Sequence, residues 1–237
     1  MLIAFWSPKG GSGTSVLAAA TAGVLSRRGG AALADLQGDQ PAICGLARDP
    51  DIGLRDWLAA GPEAPSEALS RLGVDVAPGL ELLPTGGRDL GTDGPPLPEA
   101  GAALGVALRD RESPTVADVG TLARTDPDVA DALLEVADVS VLVVRPCYLT
   151  LRRAVAMPTV ARVDVVALVD EPGRALAAPQ VLDVLGLRTS VKVPVRSSIA
   201  RAVDAGVVVT RPPDVLRRTV REVLRVLGVD EDRAPAA

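Results

Sequence analysis

The 237-residue chain contains no histidine, which excludes imidazole catalysis and any metal site that needs a histidine ligand. It has only two Trp, one Tyr and one Phe, too few for the row of rings on which single-stranded nucleic acid stacks. Two cysteines cannot form a disulfide framework and are typical of a reducing compartment. No apolar run approaches the roughly 20 residues of a membrane-spanning helix. We therefore expect a cytoplasmic protein.

The charge is mildly acidic, with 25 basic and 30 acidic residues, a net charge of −5 and an isoelectric point near 4.9. This sign argues against a surface that coats DNA or anionic lipid as a whole. Only Lys9 and Lys192 are lysines, so the position of each is informative. Apolar residues make up 48% of the chain, which excludes a disordered protein.

Strand and helix patterns alternate along the chain. Strands are predicted at 2–6, 31–36, 80–83, 115–119, 139–144, 163–169 and 190–193. Helices are predicted at 14–28, 52–60, 99–111, 126–136, 148–161, 179–185, 197–205 and 214–227, and 86–98 reads as a surface loop. This alternation predicts an α/β fold with a doubly wound, mostly parallel sheet and helices on both faces. We expect a single domain over 1–228 and a polar tail over 229–237.

A glycine-rich segment, SPKGGSGTS at 7–15, lies between the first strand and the first helix. Backbone N–H groups of such a loop and the following helix N-terminus form a ready anion site, and glycines let the backbone approach phosphates. An ordinary phosphate loop would carry lysine where Thr14 stands. The candidate nucleotide-binding residues are Lys9, Gly10, Gly11, Ser12, Gly13, Thr14 and Ser15.

This loop resembles the deviant Walker A motif of the ParA/MinD superfamily of P-loop ATPases, KGGxGK[ST]. The matching residues are Lys9, Gly10, Gly11, Gly13 and Ser15, and Thr14 departs from the motif. With threonine there, the loop is similar to the CpaE/TadZ branch, which is associated with placing pilus and secretion machinery at cell poles. The resemblance implies that Lys9 reaches across a nucleotide-sandwich homodimer to the partner's phosphates, and that the Ser15 hydroxyl binds Mg²⁺.

Asp118 follows an apolar run and precedes Gly120, in the segment TVADVG at 115–120. A carboxylate at the carboxyl end of a strand faces the ligand crevice of a doubly wound sheet, and oxygen ligands suit Mg²⁺. The segment resembles the Walker B motif of the same superfamily, where Asp118 would hold Mg²⁺ through water. The candidate metal-binding residues are therefore Ser15 and Asp118.

The segment after the second strand reads Asp35-Leu36-Gln37, where the superfamily has Asp-x-Asp. The resemblance implies that Asp35 lies near the metal and that the residue at position 37 orients the attacking water. Glutamine can orient water but is a poor general base. Losing one charged phosphate contact at Thr14 weakens affinity by roughly 1.5–3 kcal/mol, or tenfold to a hundredfold. The candidate catalytic residues are Lys9, Asp35 and Gln37.

The function that the resemblance implies is a switch that binds ATP (or ADP) with Mg²⁺, forms a homodimer on ATP binding and positions a cargo such as pilus or secretion machinery, a plasmid or chromosome, or the division site. Its further partner would be an unidentified cargo or regulatory protein. We expect weak or absent hydrolysis because of Thr14 and Gln37. A non-hydrolysing nucleotide-bound scaffold is one alternative. Another is a Rossmann-type enzyme that binds NAD(P), since Gly11 and Gly13 half fit its fingerprint and Asp35 stands about 20 residues on.

The predicted helix at 214–227 is amphipathic, with four arginines in one quadrant and aliphatic residues opposite. Such a helix either packs on the domain or lies on a membrane, as in MinD-type proteins. The acidic run at 230–232 favours packing over peripheral membrane contact. Arg152, Arg153 and Arg162 offer a patch for nonspecific DNA, as in ParA-like proteins, but the net charge disfavours this use and nucleoid association with it.

Overall fold

The structure, a computed structural model, describes residues 1–90, 97–122 and 127–229. Its strands form one eight-stranded sheet in the order β3-β4-β2-β5-β1-β6-β7-β8. Neighbouring strands are parallel except β3 and β4, which are antiparallel. The strands are β1 Leu2–Ser7, β2 Ala31–Asp35, β3 Val74–Ala77, β4 Leu80–Leu83, β5 Thr115–Thr121, β6 Val139–Val144, β7 Val165–Asp170 and β8 Ser190–Pro194.

The helices of the described residues alternate with these strands. They are α1 Thr14–Leu25, α2 Gln40–Ile43, α3 Leu54–Ala59, α4 Leu97–Arg109, α5 Pro127–Val136, α6 Tyr148–Val155, α7 Ala178–Leu185, α8 Ser197–Asp204 and α9 Asp214–Val226. Three short 3-10 turns lie at Ser26–Arg28, Ser66–Arg71 and Pro158–Arg162. None of the helices in the described ranges is long and apolar enough to cross a membrane.

Two hydrophobic cores lie on opposite faces of the sheet. One contains buried residues of α3, α4, α5, α6 and α7, and the other contains buried residues of α1, α2, α8 and α9. The central strands are buried along their whole length, which is why their sequences are continuous apolar runs. This confirms the predicted doubly wound, mostly parallel sheet with helices on both faces.

Helix α9 packs its apolar face on the domain. Its residues Leu216, Val220 and Val223 are buried, and the helix contacts α1, β7 and β8. Arg218 and Arg221 are exposed on the opposite side. Packing, which the sequence favoured for this helix, is the arrangement that the structure shows. The acidic run at 230–232 lies outside the described residues.

Several elements differ from the sequence prediction. The helix predicted over 148–161 ends at Val155, because Pro158 cannot continue it, and a 3-10 turn follows. Strand β3 and the short helix α2 were not predicted. Part of the predicted loop at 86–98 lies outside the described residues. So does the first residue of the helix predicted at 126–136.

The order of the strands matters for the ligand crevice. Strands β1 and β2, which α1 connects, are not neighbours, because β5 lies between them. The chain leaving β1 therefore crosses to β2 on one side of β1, while β6 pairs with β1 on the other side. Ligands of doubly wound sheets bind at such a switch point, outside the carboxyl ends of the strands. The loop after β1 lies at this point.

Candidate functional site

The loop between β1 and α1 is shaped by its own side chains and by two left-handed glycines. Gly11 and Gly13 have φ angles of 76° and 83°, which favour glycine. The hydroxyls of Ser7 and Ser12 donate to the Lys9 carbonyl oxygen at 3.1 and 2.9 Å. In the part of the chain that the structure describes, no residue accepts a hydrogen bond from the backbone amides of 10–15. Such a row of free amides at a helix N-terminus suits a phosphate group.

Thr14 stands where an ordinary phosphate loop has lysine. Its side chain is only 5% exposed, and its Oγ1 atom is buried without a hydrogen-bond partner among the described residues. Leaving a buried hydroxyl unpaired costs about 1–3 kcal/mol, so native structures normally pair it. A ligand oxygen at the loop would supply that partner. Thr14 therefore fits the phosphate site by hydrogen bonding rather than by charge.

Lys9 lies at the edge of the same loop, half-buried and without an ion-pair partner in the described ranges. Lys9 acts electrostatically on the thiol of Cys147, the residue that precedes α6. Partial burial raises the pKa of this thiol, but hydrogen bonds with Thr150 and the charges of Lys9 and Arg174 together lower it. The charge of Lys9 therefore acts on the residue that precedes α6.

Asp118 and Asp35 face one another across β5 and β2. The two residues are register partners and both are fully buried. Burial is the main reason why the pKa of Asp118 rises to about 7, and the Asp35 charge raises it further. Hydrogen bonds with Ser15 and Gln40 oppose the rise in this pKa. Asp118 Oδ1 has no hydrogen-bond partner among the described residues.

Ser15 and Asp118, predicted from the sequence to hold a metal, are thus brought together. The unpaired Asp118 Oδ1 atom and the nearby Ser15 hydroxyl are hard oxygen donors, which fit Mg²⁺ in chemistry. A divalent cation here would offset the repulsion between the two buried carboxylates. No cluster of three acidic, Cys or His side chains accompanies them in the described ranges, so further ligands would be water and phosphate.

Asp35 organises the loop that follows β2. Its Oδ1 atom accepts hydrogen bonds from the backbone amides of Gln37 and Gly38 at 3.0 and 2.8 Å. Its Oδ2 atom accepts from the amide of Gln40 at 3.1 Å. Burial raises the pKa of Asp35 despite these bonds. Both carboxylate oxygens are therefore engaged by the main chain, and a catalytic role for Asp35 stays a prediction.

Gln37 lies across the end of β5. Its Oε1 atom accepts a hydrogen bond from the Thr121 amide at 3.3 Å. A Cβ atom at Gly120, whose φ is 69°, would collide with the Gln37 side chain. Because the Ser7 hydroxyl oxygen also lies 3.3 Å from the Gly120 carbonyl oxygen, Gln37 is close to the glycine-rich loop as well. This places Gln37 at the site, and its catalytic role stays a prediction.

Gln40 is a site residue that the sequence analysis missed. It is fully buried, and its side chain donates to Asp118 Oδ2 at 2.7 Å. The Asp-x-Asp pattern covers only positions 35 to 37 and does not reach Gln40. Its position in the sequence could have indicated it, because Gln40 and Pro41 begin a helical turn shortly after a strand that ends at the crevice.

Neither family models nor curated protein sequences give a match to this chain. Solved structures do. A ParA family ATPase from Chlorobium tepidum TLS is 20% identical with a TM-score of 0.77, and the match covers 97% of this chain and 98% of that one. The septum site-determining protein MinD from Pyrococcus horikoshii, complexed with Mg-ADP, is 17% identical with a TM-score of 0.72, covering 96% and 97%.

A third structure, an ATP complex of a McdA variant from Cyanothece, is 14% identical with a TM-score of 0.71 and covers 97% of each chain. At these identities the likeness is one of fold. The predicted resemblance to ParA/MinD ATPases is confirmed at that level, and similarity to the CpaE/TadZ branch stays a prediction.

Proposed function

We propose that this chain, which has the fold of the ParA and MinD ATPases, is a nucleotide-dependent dimerising switch that positions a cargo in the cell. The observation that carries the proposal is the row of unpaired amides at 10–15, which meets Asp118 and the Ser15 hydroxyl at one end of the sheet. The MinD and McdA neighbours were solved with Mg-ADP and with ATP. Ligands of this kind suit the backbone amides and hydroxyl groups of the glycine-rich loop in this chain.

ATP or ADP would be bound by the amides of the loop, with Thr14 donating its hydroxyl to a phosphate oxygen. Ser15 and Asp118 would hold Mg²⁺, which when bound neutralises phosphate charge. Asp118 needs to be ionised for this role. Since its pKa is about 7 without a cation, loading with Mg²⁺ would release a proton at neutral pH.

Dimerisation would use the surface around Lys9. The start of α6, where the charge of Lys9 acts on Cys147, exposes Tyr148, the only tyrosine of the chain, at 75% together with Leu149 at 43%. An exposed aromatic and aliphatic pair, together with an ammonium group that has no ion-pair partner among the described residues, suits an interface in which a second copy brings its phosphates to Lys9. ATP would favour this dimer by supplying the negative charge that the paired lysines require.

Hydrolysis would be weak or absent, because Thr14 carries no charge and Gln37 is engaged with the Thr121 amide. The same contact, together with the three amides on Asp35, favours the non-hydrolysing scaffold as the second candidate function. The strand order argues against the alternative of an NAD(P)-binding enzyme. The dinucleotide-binding order 3-2-1-4-5-6 pairs the first two strands, whereas β5 separates them here.

Isothermal titration with ADP, ATP and NAD, each with Mg²⁺, tests the nucleotide part. We expect binding heat for the adenine nucleotides and none for NAD. Light scattering with ATP and with ADP then tests the dimer, which we expect only with ATP. Phosphate release under saturating ATP separates the slow switch from the scaffold. Absence of heat for ATP and ADP at millimolar concentration would contradict the whole proposal.

A further inference from the structure

Gln40 bonds to three separate parts of the site from a fully buried position. Its backbone amide donates to Asp35 Oδ2 at 3.1 Å. Its side-chain Nε2 atom donates to the Ser15 carbonyl oxygen at 3.0 Å and to Asp118 Oδ2 at 2.7 Å. Both side-chain partners are acceptors, so the amino end of the carboxamide must face them. One residue thus joins the last residue of β2, the first turn of α1 and the middle of β5.

Two oxygen atoms in this bonded group are buried and accept no hydrogen bond from a described residue. They are Gln40 Oε1 and Asp118 Oδ1. Buried polar atoms in native proteins are normally paired with protein groups, water or ions. An amide oxygen and a carboxylate oxygen on hydrogen-bonded neighbours are the donor types that a hard cation or its bound water takes. The unpaired atoms therefore point to a ligand at this place.

We propose that Gln40 is the positioning residue of the cation site. It occupies Asp118 Oδ2 as a donor, so that Oδ1 remains the oxygen offered to the cation. It also ties the main chain of Ser15 to the same carboxylate, which keeps the two metal-binding residues at a constant separation. This inference rests on the proposed Mg²⁺-nucleotide function, and it adds a residue outside the phosphate loop and outside both acidic motifs.

A positioning role makes a prediction that a packing role does not. Replacing Gln40 with methionine keeps the length of the side chain but removes both donated bonds. Residues that orient metal ligands typically contribute ten- to a hundredfold to metal affinity. Replacing Gln40 with glutamate puts a third carboxylate against Asp118 and the Ser15 carbonyl. The repulsion is relieved only when a cation binds.

The experiment measures Mn²⁺ affinity in the presence of ADP, by electron paramagnetic resonance of free Mn²⁺, and the unfolding temperature with EDTA and with Mn²⁺. For Gln40→Met we expect about ten- to hundredfold weaker Mn²⁺ binding and a smaller rise in unfolding temperature on adding Mn²⁺. For Gln40→Glu we expect a lower unfolding temperature in EDTA and a larger rise with Mn²⁺ than in wild type. ADP affinity in EDTA should match wild type in Gln40→Met.

Gln180→Met is the matched control, because among the described residues this exposed glutamine of α7 bonds only the Ala177 amide. If Gln40→Met does not fold, Gln40→Asn, which withdraws the same donors, carries the same expectation. Wild-type Mn²⁺ affinity in Gln40→Met or in Gln40→Asn would overturn this inference and leave the proposed function standing. The same would follow if Mn²⁺ raised the unfolding temperature equally in Gln40→Met and Gln40→Glu. If the wild-type protein binds ADP but retains no Mn²⁺, the metal part of the proposed function fails as well.

Discussion

Replacing Asp118 with asparagine should stabilise the cation-free protein while removing a ligand of the proposed Mg²⁺ site. The pKa of this buried carboxyl is raised from 3.8 to about 7, mainly by burial and then by the charge of Asp35. A rise of this size corresponds to about 4 kcal/mol of preference for the protonated form in the folded state. At pH 8 the ionised wild-type carboxylate bears this cost, and a neutral asparagine does not. It can still accept the hydrogen bond of Gln40 through its amide oxygen.

The sign of the pH dependence follows from the direction of the shift. The folded protein binds the proton more tightly than the unfolded chain, so the stabilising contribution of Asp118 is complete below pH 3.8 and is lost as pH rises through about 7. Between pH 5 and pH 8 the loss amounts to about 2–3 kcal/mol. Asp118→Asn should lack this part of the pH dependence, because asparagine does not titrate.

Urea denaturation in EDTA at pH 5 and at pH 8 measures both effects. We expect the variant to exceed wild type in unfolding free energy at pH 8, with a smaller difference at pH 5, and we expect Mn²⁺ with ADP to stabilise wild type only. Asp183→Asn, an exposed change on α7 at a side chain without a hydrogen bond or ion pair among the described residues, controls for loss of one negative charge. A variant less stable than wild type at pH 8, or one with the same change between the two pH values, would refute the electrostatic reasoning.

Three further substitutions test the loop. Lys9→Ala should abolish ATP-dependent dimerisation in light scattering while the exposed Lys192→Ala keeps it; a dimer in both removes Lys9 from the interface. Thr14→Lys should raise ATP affinity about tenfold to a hundredfold in titration calorimetry, by adding a charged phosphate contact; unchanged affinity would place Thr14 away from the phosphates. Gly120→Ala should lower the unfolding free energy by about 1–3 kcal/mol, through its positive φ and its collision with Gln37. A Gln37→Ala background should recover only the collision part, and full recovery would show that backbone strain is absent.

The parts of the fold that could be predicted from sequence are those with a one-dimensional signature. Strands such as 139–144 are unbroken aliphatic runs, and the loop at 7–15 combines glycines with a strand before it and a helix after it. Helix α9 has a strict 3.6-residue pattern, and its predicted packing agrees with the buried Leu216 and Val220. Local periodicity is enough for such elements, because each is hydrophobic on the face that it buries.

The elements that were missed lack that signature. Strand β3 is an edge strand of only four residues, partly exposed and antiparallel to its single partner, so its apolar residues form no run long enough to predict a strand. Helix α2 spans one turn and begins with Gln40 and Pro41, which read as a loop. Short elements of this kind are held by contacts with distant segments, such as the bond from Gln40 to Asp118, 78 positions along the chain.

The sequence by itself determined the alternating α/β plan, the glycine-rich loop between the first strand and the first helix, and the two acids at the crevice, because each depends on residues adjacent in the chain. Only the tertiary structure decided that β5 lies between β1 and β2, and that this order sets Asp35 against Asp118 in a buried pair. The raised pKa of Asp118 and the contacts of Gln40 follow from that pairing. They depend on burial and on distances between segments far apart in sequence, which no local pattern encodes.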